Sequence, residues 1–466
     1  MERAKSISDL AAAVDDRLKR EGTSPGVSTI ARLLEVVYFT SLKTEEGRPV
    51  QARIALVNPK SPDPDRPPGP NADRWRITQL AVPLPLTVSN LVKLSKAADP
   101  WSSCLAVYYD SSRELFIWGL VDQVVHFNTY LVHEKAHAYA PPGLFQVIAL
   151  GTADLSVYRE HEFIARLAQD TLSKRQSDVF WSGPVSDCLD MGIGPYIETV
   201  WREVVREERA PYVKKWVKEL RRTHSWDATI ADTWIGTMCR VLISIQRYRH
   251  GGALLITRSN ADLSIKYRIS YPRLRTALTR LWTARLRKWM ADEEIEPFVD
   301  GGNGDWIPVG EYLDKEVAGN DEEDIRDEVT GCVRFISSLS CVDGLVLAGP
   351  DLVIRGFGVE IRTRKEISAV YLASSPNAAP RSLKKVDPNH YGTRHRSMMR
   401  YCFAHPGSLG FVISQDGDIR ALTRVGNKLV MWENPKVLDF TKSYRRQASF
   451  SIPKEEWEEW QSVYKP

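Results

Sequence analysis

Apolar residues recur at Leu10, Ala13, Val14 and Leu18, the spacing of one helical face, so the chain is expected to open with an amphipathic helix. A second helix is expected over STIARLLEVVYFTSLKTEEGR, ending near Gly47. Strand-like runs follow at RIALVN, SCLAVYYD, ELFIWGLV and FQVIALG, with the Pro-rich PKSPDPDRPPGPNAD among them reading as an exposed loop. Around residues 174 to 195 the text turns polar and Gly-rich (SKRQSD, WSGP, MGIGP), which suits a domain boundary. Long helices are then expected over 195 to 250, a strand at RHGGALLITR and a helix over PRLRTALTRLWTARLRKWM. An acidic stretch (DEEIEPF, DEEDIRDE) leads into one more helix. From Val342 strand and turn alternate through DGLVLAG, LVIRGFGVEI, LGFVISQDGDIRAL and KLVMWE, and PKEEWEEWQSVYKP reads as a short terminal helix. Helices interleaved with strands predict an α/β protein.

Length and composition narrow this picture. At 466 residues, with 43% hydrophobic content, 26% charged content and 14 Trp, the chain is expected to build two or three soluble globular domains. The opening residues contain no uninterrupted apolar core of a signal peptide, and no apolar run approaches the roughly 20 residues that span a bilayer. Six cysteines are scattered without a CxxC pair, which points to reduced thiols in the cytoplasm over a disulfide framework or a zinc site. A net charge of +4 is too small to imply a nucleic-acid partner. The cations of PRLRTALTRLWTARLRKW back a stripe of Leu274, Leu278, Leu281, Trp282 and Trp289, so they read as a solvated face that acids at 313 to 327 neutralise.

Two motifs carry candidate chemistry. HEKAH, His133 to His137, satisfies the H-E-x-x-H pattern that places two imidazoles of a zinc peptidase one helical turn apart, with Glu134 as base. That mechanism needs a helix. The upstream VVHFNTYLV is β-branched and aromatic, and Pro141 and Pro142 follow at once, so surface histidines are the plainer reading. The second motif is GTRHR, Gly392 to Arg396, within an ordered set: GGALLITR, VDGLVLAG, GFGVEI, GTRHRSMM and LGFVISQDGDI. Arg394 and Arg396 offer fork-shaped donors that match phosphate oxygens, and Thr393 and its neighbours add backbone N–H groups if a helix starts there. His395 would strengthen the site if protonated, and Gly344 and Gly392 allow close backbone approach. Asp343 could hold a metal ion or accept a proton from a ribose hydroxyl. The plain alternative is an ordinary turn at Asp343-Gly344, with the arginines paired to Asp387 and nearby acids.

This ordered set resembles the nucleotide-binding domain of DisA-type diadenylate cyclases over roughly residues 195 to 435. The segment ARLLEVVYFTSLKTEEGR resembles the DACNV proteins, relatives regarded as nucleotide sensors associated with bacterial defence loci. The resemblance implies an N-terminal α/β domain over 1–180, a mixed sheet flanked by helices over 190–437 and a tail over 438–466. It implies an adenine nucleotide or cyclic dinucleotide as ligand, contacted by Gly344, Leu345, Gly392, Thr393, Arg394, His395, Arg396 and Ser414. In an active cyclase, Asp343 would serve the attacking 3′-hydroxyl and join Asp416 at Mg²⁺ or Mn²⁺. Two ATP would become cyclic di-AMP across a contact between two copies of the chain. Three departures favour a sensor without turnover. Leu345 stands where the family has Ala, close to the expected adenine. Val342 stands in place of a frequent His, and Ser414-Gln415-Asp416 replaces a Ser-Glu-Glu turn. Any output would then lie on a separate effector protein.

The text also echoes itself: GLFQVIALGTADLSVYREHE against GSLGFVISQDGDIRALTRVG, and ELFIWGLVDQ against DGLVLAGPDLVIRGFG. Two generic hairpins explain this more simply than a second copy of one fold.

Overall fold

The computed structural model describes residues 5–60, 76–98, 103–122, 144–159, 162–168, 171–174, 177–207, 217–218, 221, 226–248, 250–300, 309–414 and 418–437. The HEKAH string, most of the Pro-rich loop, Gln415, Asp416 and the expected terminal helix lie outside the described residues. The protein is mixed α/β and divides into two compact units, one within Met1–Lys174 and the other Arg175–Val437.

In the first unit, helices α1 (Ile7–Arg20) and α2 (Val27–Ser41) precede a two-stranded ribbon, β1 (Thr44–Glu45) and β2 (Arg48–Pro49). There follow β3 (Ala52–Leu56), β4 (Arg76–Pro85), α3 (Val88–Ser95), β5 (Ser103–Tyr109) and β6 (Leu115–Asp122). The meander β7 (Phe145–Gly151), β8 (Asp154–Arg159), β9 (Glu162–Ala168) and β10 (Thr171–Ser173) completes the unit. Helix α1 starts where Ser6 and Asp9 cap each other reciprocally, satisfying N–H groups that the first turn leaves without helical partners. Leu10, Val14 and Leu18 then drop onto the sheet beside Leu34, Ile54, Leu105 and Val147, as their spacing predicts. Each such side chain contributes about 1.5–3 kcal/mol by leaving water. The sheet order is β10-β9-β8-β7-β3-β5-β6-β4.

The second unit opens with α4 (Pro184–Glu207) and α5 (Trp226–Tyr248), then β11 (Gly252–Ile256), β12 (Leu263–Tyr271) and the long helices α6 (Arg273–Asp300) and α7 (Val309–Leu339). After them come β13 (Leu345–Ala348), β14 (Ile354–Ile361), β15 (Val370–Ala373), β16 (Leu383–Val386) and helix α8 (Thr393–Ala404). The strands β17 (Leu409–Ile413), β18 (Ile419–Val425) and β19 (Lys428–Glu433) close the unit. Its sheet order is β12-β14-β13-β11-β17-β18-β19-β15-β16. One face packs under α8 through Ala253, Leu255, Leu347, Val412, Leu422 and Met431. On the other face Phe180 stacks on Phe411 at 6.0 Å, and Cys188 of α4 meets Thr423 at 3.4 Å. Burial on both faces explains why β11 and β17 read as unbroken apolar runs.

Several expectations change here. The two units divide between Lys174 and Arg175, at the start of the stretch expected to hold a boundary, but its MGIGP end lies inside α4, where the carbonyl of Pro350 occupies the space that a Cβ on Gly192 would need. The acidic runs are helical, DEEIEPF within α6 and DEEDIRDE within α7. They do neutralise the basic helix. Glu322 takes Arg285 at 3.1 Å, Lys288 at 3.3 Å and Arg326 at 2.6 Å, while Glu328 takes Arg273 and Arg280 at 2.8 Å each. Helix α5, between Trp226 and Gln246, is long and apolar enough to cross a membrane by composition, but most of that stretch is core, including Trp234, Met238 and Leu242.

The two sheets share a seven-strand plan. Reading from one edge, β4-β6-β5-β3-β7-β8-β9 matches β12-β14-β13-β11-β17-β18-β19. The first central strand pairs parallel with the third (β3 with β5, β11 with β13), and every other neighbour within these seven is antiparallel. The generic-hairpin reading is therefore overturned for the first of the two echoes. The first echo aligns β7–β8 with β17–β18, in equivalent places. The second is out of step, since the counterpart of β6 is β14, and DGLVLAG belongs to β13.

Candidate functional site

GTRHR forms the first turn of α8. Gly392 is the N-cap, with extended backbone (φ −64°, ψ 167°) and no side-chain cap, and its carbonyl accepts from the Arg396 N–H at 3.1 Å. The first-turn N–H groups ahead of Arg396 therefore have no side-chain acceptor at the cap, and the helix dipole adds partial positive charge there. Gly392, Thr393 and Arg394 are exposed, and His395 and Arg396 half-buried. Arg396 Nε is shielded from solvent without a hydrogen-bond acceptor. The rest of the helix is anchored: Met398, Met399 and Cys402 pack on the sheet, Tyr401 donates to the Ser259 carbonyl at 2.8 Å and Arg424 to that of Phe403 at 3.0 Å. A rigid element thus presents two arginines and a bare helix start. The pairing of these arginines with Asp387 is not what occurs; Asp387 instead caps its own turn through the Asn389 N–H at 2.9 Å.

His395 faces inward. Its Nε2 lies 3.0 Å from Arg420 Nη1, and Arg420 is held by Asp418 Oδ2 at 3.1 Å and Glu433 Oε1 at 3.2 Å. The Arg420 guanidinium also lies 5.7 Å from the ring centroid of Tyr391, whose ring is 5.8 Å from that of His395. Burial, reinforced by Arg420 and Arg394 against the opposing pull of Asp418, pushes the imidazole down to about 4. The ring is therefore neutral near neutral pH, and the extra strength that a protonated His395 would bring is not available there. Burial likewise pushes the Tyr391 phenol up to about 12.

Strand register brings the remaining candidates to the same end of the sheet. Leu254 pairs with Val346, Gly252 with Ile413, Ile413 with Ile419 and Arg420 with Glu433. Asp343-Gly344, Ser414, Asp418, Arg420 and Glu433 therefore line one rim, with the start of α8 beside Arg420. From β13 to β18 is three strand spacings, about 14 Å. Asp343 is exposed on this rim. Gly344 has φ +113°, and a Cβ would lie 2.6 Å from the Gly358 carbonyl carbon and 2.7 Å from the Val359 nitrogen, so only glycine fits.

Two assignments change. Leu345 is buried in the core, paired with Val359 and clustered with Met398, so its side chain belongs to packing and not to a ligand surface. Ser414 closes a turn on Asp418, its N–H donating to the Asp418 carbonyl at 2.8 Å and its Oγ accepting from the Asp418 N–H at 2.9 Å. As a metal site the rim fits poorly. Asp418 is committed to Arg420, no group of three or more metal-ligating side chains occurs among the described residues, and Asp416, the expected partner of Asp343, lies outside them. Sequence reasoning missed Arg420, Asp418, Glu433 and Tyr391. A signal existed in DIRAL, where Asp418 and Arg420 are two apart and so share a strand face.

A family model described as "Probable sensor domain DACNV" matches residues 19–122, from the end of α1 through β6. No curated protein matches the chain.

Proposed function

We propose that the second unit binds an adenine nucleotide or cyclic dinucleotide at the start of α8, and that the chain senses this ligand without converting it. The observation that carries the reading is the unspent cationic character of one rigid helix start: exposed Arg394, the unaccepted Nε of Arg396 and the uncapped first-turn N–H groups. The sensor half is supported by the family match over 19–122. The choice of adenine rests on the resemblance to diadenylate cyclases, as does a setting in bacterial defence or signalling. Free cysteines accord with a cytoplasmic setting, and an effector on a separate chain would supply the output.

Lack of turnover is supported by the acids. Phosphoryl transfer needs metal ions to neutralise developing charge. Asp418 is held by Arg420, Ser414 is used by its turn, and among the described residues Asp343 belongs to no group of three or more metal-ligating side chains. Thr393, Arg394 and Arg396 would bind and orient phosphate, and His395 would meet it as a neutral group. The second reading, an active cyclase working across two associated copies, is kept open by Asp343 on the same rim as Arg394. Incubation with ATP and Mg²⁺ or Mn²⁺, read by mass spectrometry, separates the two. Cyclic di-AMP that disappears in Asp343→Asn would overturn the sensor reading. Thermal stabilisation by nucleotide without product, lost in Arg394→Ala, supports it.

A further inference from the structure

Arg420 has no place in the phosphate-binding string, yet its geometry dictates what His395 can offer. A guanidinium has only donors and stays protonated at any working pH. At 3.0 Å from Arg420 Nη1, the His395 Nε2 must accept, so the ring proton resides on Nδ1. Arg420 cannot swing away cheaply, since Asp418 and Glu433 fix two of its other nitrogens and Tyr391 packs against its plane. No described residue is hydrogen-bonded to Nδ1. The charged and titratable groups facing the ring are Arg420 and Asp418 from the β18 side, Glu433 through Arg420, Arg394 from its own helix, and Tyr391. Beneath α8, β17 contributes Val412 and β14 contributes Val359, neither of them charged.

We propose that Arg420 is the positioning residue of this site: it holds His395 as a neutral imidazole with the proton on Nδ1, so that the ring meets its ligand as a donor to an acceptor atom such as a phosphodiester oxygen. This rests on the nucleotide reading for the identity of the ligand, but not for the state of the ring. Binding then takes up no proton at His395, and recognition depends on a placed hydrogen bond instead of a titrating charge.

The test begins with ligand-free wild-type protein. Long-range ¹H–¹⁵N correlation spectra, with His395→Gln to assign the signal, should show the Nδ1–H tautomer, unchanged between pH 5.5 and 8. The Nε2–H tautomer, or titration near the ordinary histidine value, would overturn the proposal whatever the protein binds. Arg420→Met should release the ring to the tautomer an unconstrained imidazole prefers and raise its titration point. It should also weaken cyclic di-AMP or ATP binding roughly tenfold or more, the scale of one misplaced hydrogen bond to a charged group. Arg420→Lys, which keeps a donor, should restore part of both. An Nδ1–H signal unaffected by Arg420→Met would also overturn it. If Arg420→Met does not fold, the wild-type spectrum alone decides. Failure of nucleotide to bind wild type, with the Nδ1–H signal intact, would sink the ligand assignment and leave the role of Arg420 standing.

Discussion

Arg166 closes on both oxygens of Asp154, Nε at 2.7 Å and Nη2 at 2.5 Å, with each residue only 7% exposed. Asp154 immediately precedes Leu155, which pairs back to Ala149; Asp418 immediately precedes Ile419, which pairs back to Ile413. The two acids therefore hold equivalent places in two sheets of one plan. In the first unit the acid is sealed by an arginine from β9. In the second it holds an arginine on its own strand, which reaches on to His395.

Removing half of the sealed pair should be costly. Asp154→Ala leaves a buried guanidinium without its carboxylate, and a loss of about 3 kcal/mol is expected in urea unfolding of the first unit. Asp154→Leu with Arg166→Met should recover most of it. A single mutant within about 0.5 kcal/mol of wild type would contradict the pairing.

Acid should weaken the second unit through His395. The folded ring takes its proton only near pH 4, whereas an unfolded histidine does so near 6.5. Between those values the unfolded chain binds more protons, so stability falls as pH is lowered through that window. His395→Gln should flatten this part of the stability curve, measured by thermal unfolding from pH 7 to pH 4.

Gly344 and Gly392 should respond differently to a methyl group. Gly344→Ala adds a Cβ against the Gly358–Val359 backbone at φ +113°, and a loss of about 2 kcal/mol or more is expected. Around Gly392 a Cβ meets nothing within 4 Å, so Gly392→Ala should cost at most about 1 kcal/mol, from the poorer N-cap. Equal melting temperatures for the two variants would contradict this.

Arg394→Ala tests binding without disturbing the fold. The residue is exposed, so stability should stay within about 0.5 kcal/mol of wild type. Affinity for cyclic di-AMP or ATP, measured by calorimetry, should fall at least roughly tenfold if its charged fork holds phosphate. Undiminished affinity would remove Arg394 from the site.

Local features were legible because they act within a few residues. The apolar face of α1, the apolar stripe of α6, the strands β3, β5, β6 and β7, and an element starting at GTRHR all follow from spacing and side-chain type. Gly344 was read as allowing close backbone approach, and the structure adds that its φ of +113° strains any other residue. What the text could not carry were consequences of register between distant strands. Leu345 was assigned to a ligand surface, and its pairing with Val359 turned it into the core. Gly192 read as part of a domain boundary, and its place inside α4 against Pro350 showed only in the fold. The shared plan of the two sheets left only two short echoes, because a fold is held by which positions are apolar and not by which apolar residue fills them.

By itself, then, the sequence determined an α/β chain with a cluster of cations at GTRHR, since periodicity and a run of cations are properties of neighbouring residues. The tertiary structure alone decided that His395 is neutral and proton-bearing on Nδ1. That state depends on Arg420, 25 positions along the chain, and on burial that exists only once β18 and α8 have packed.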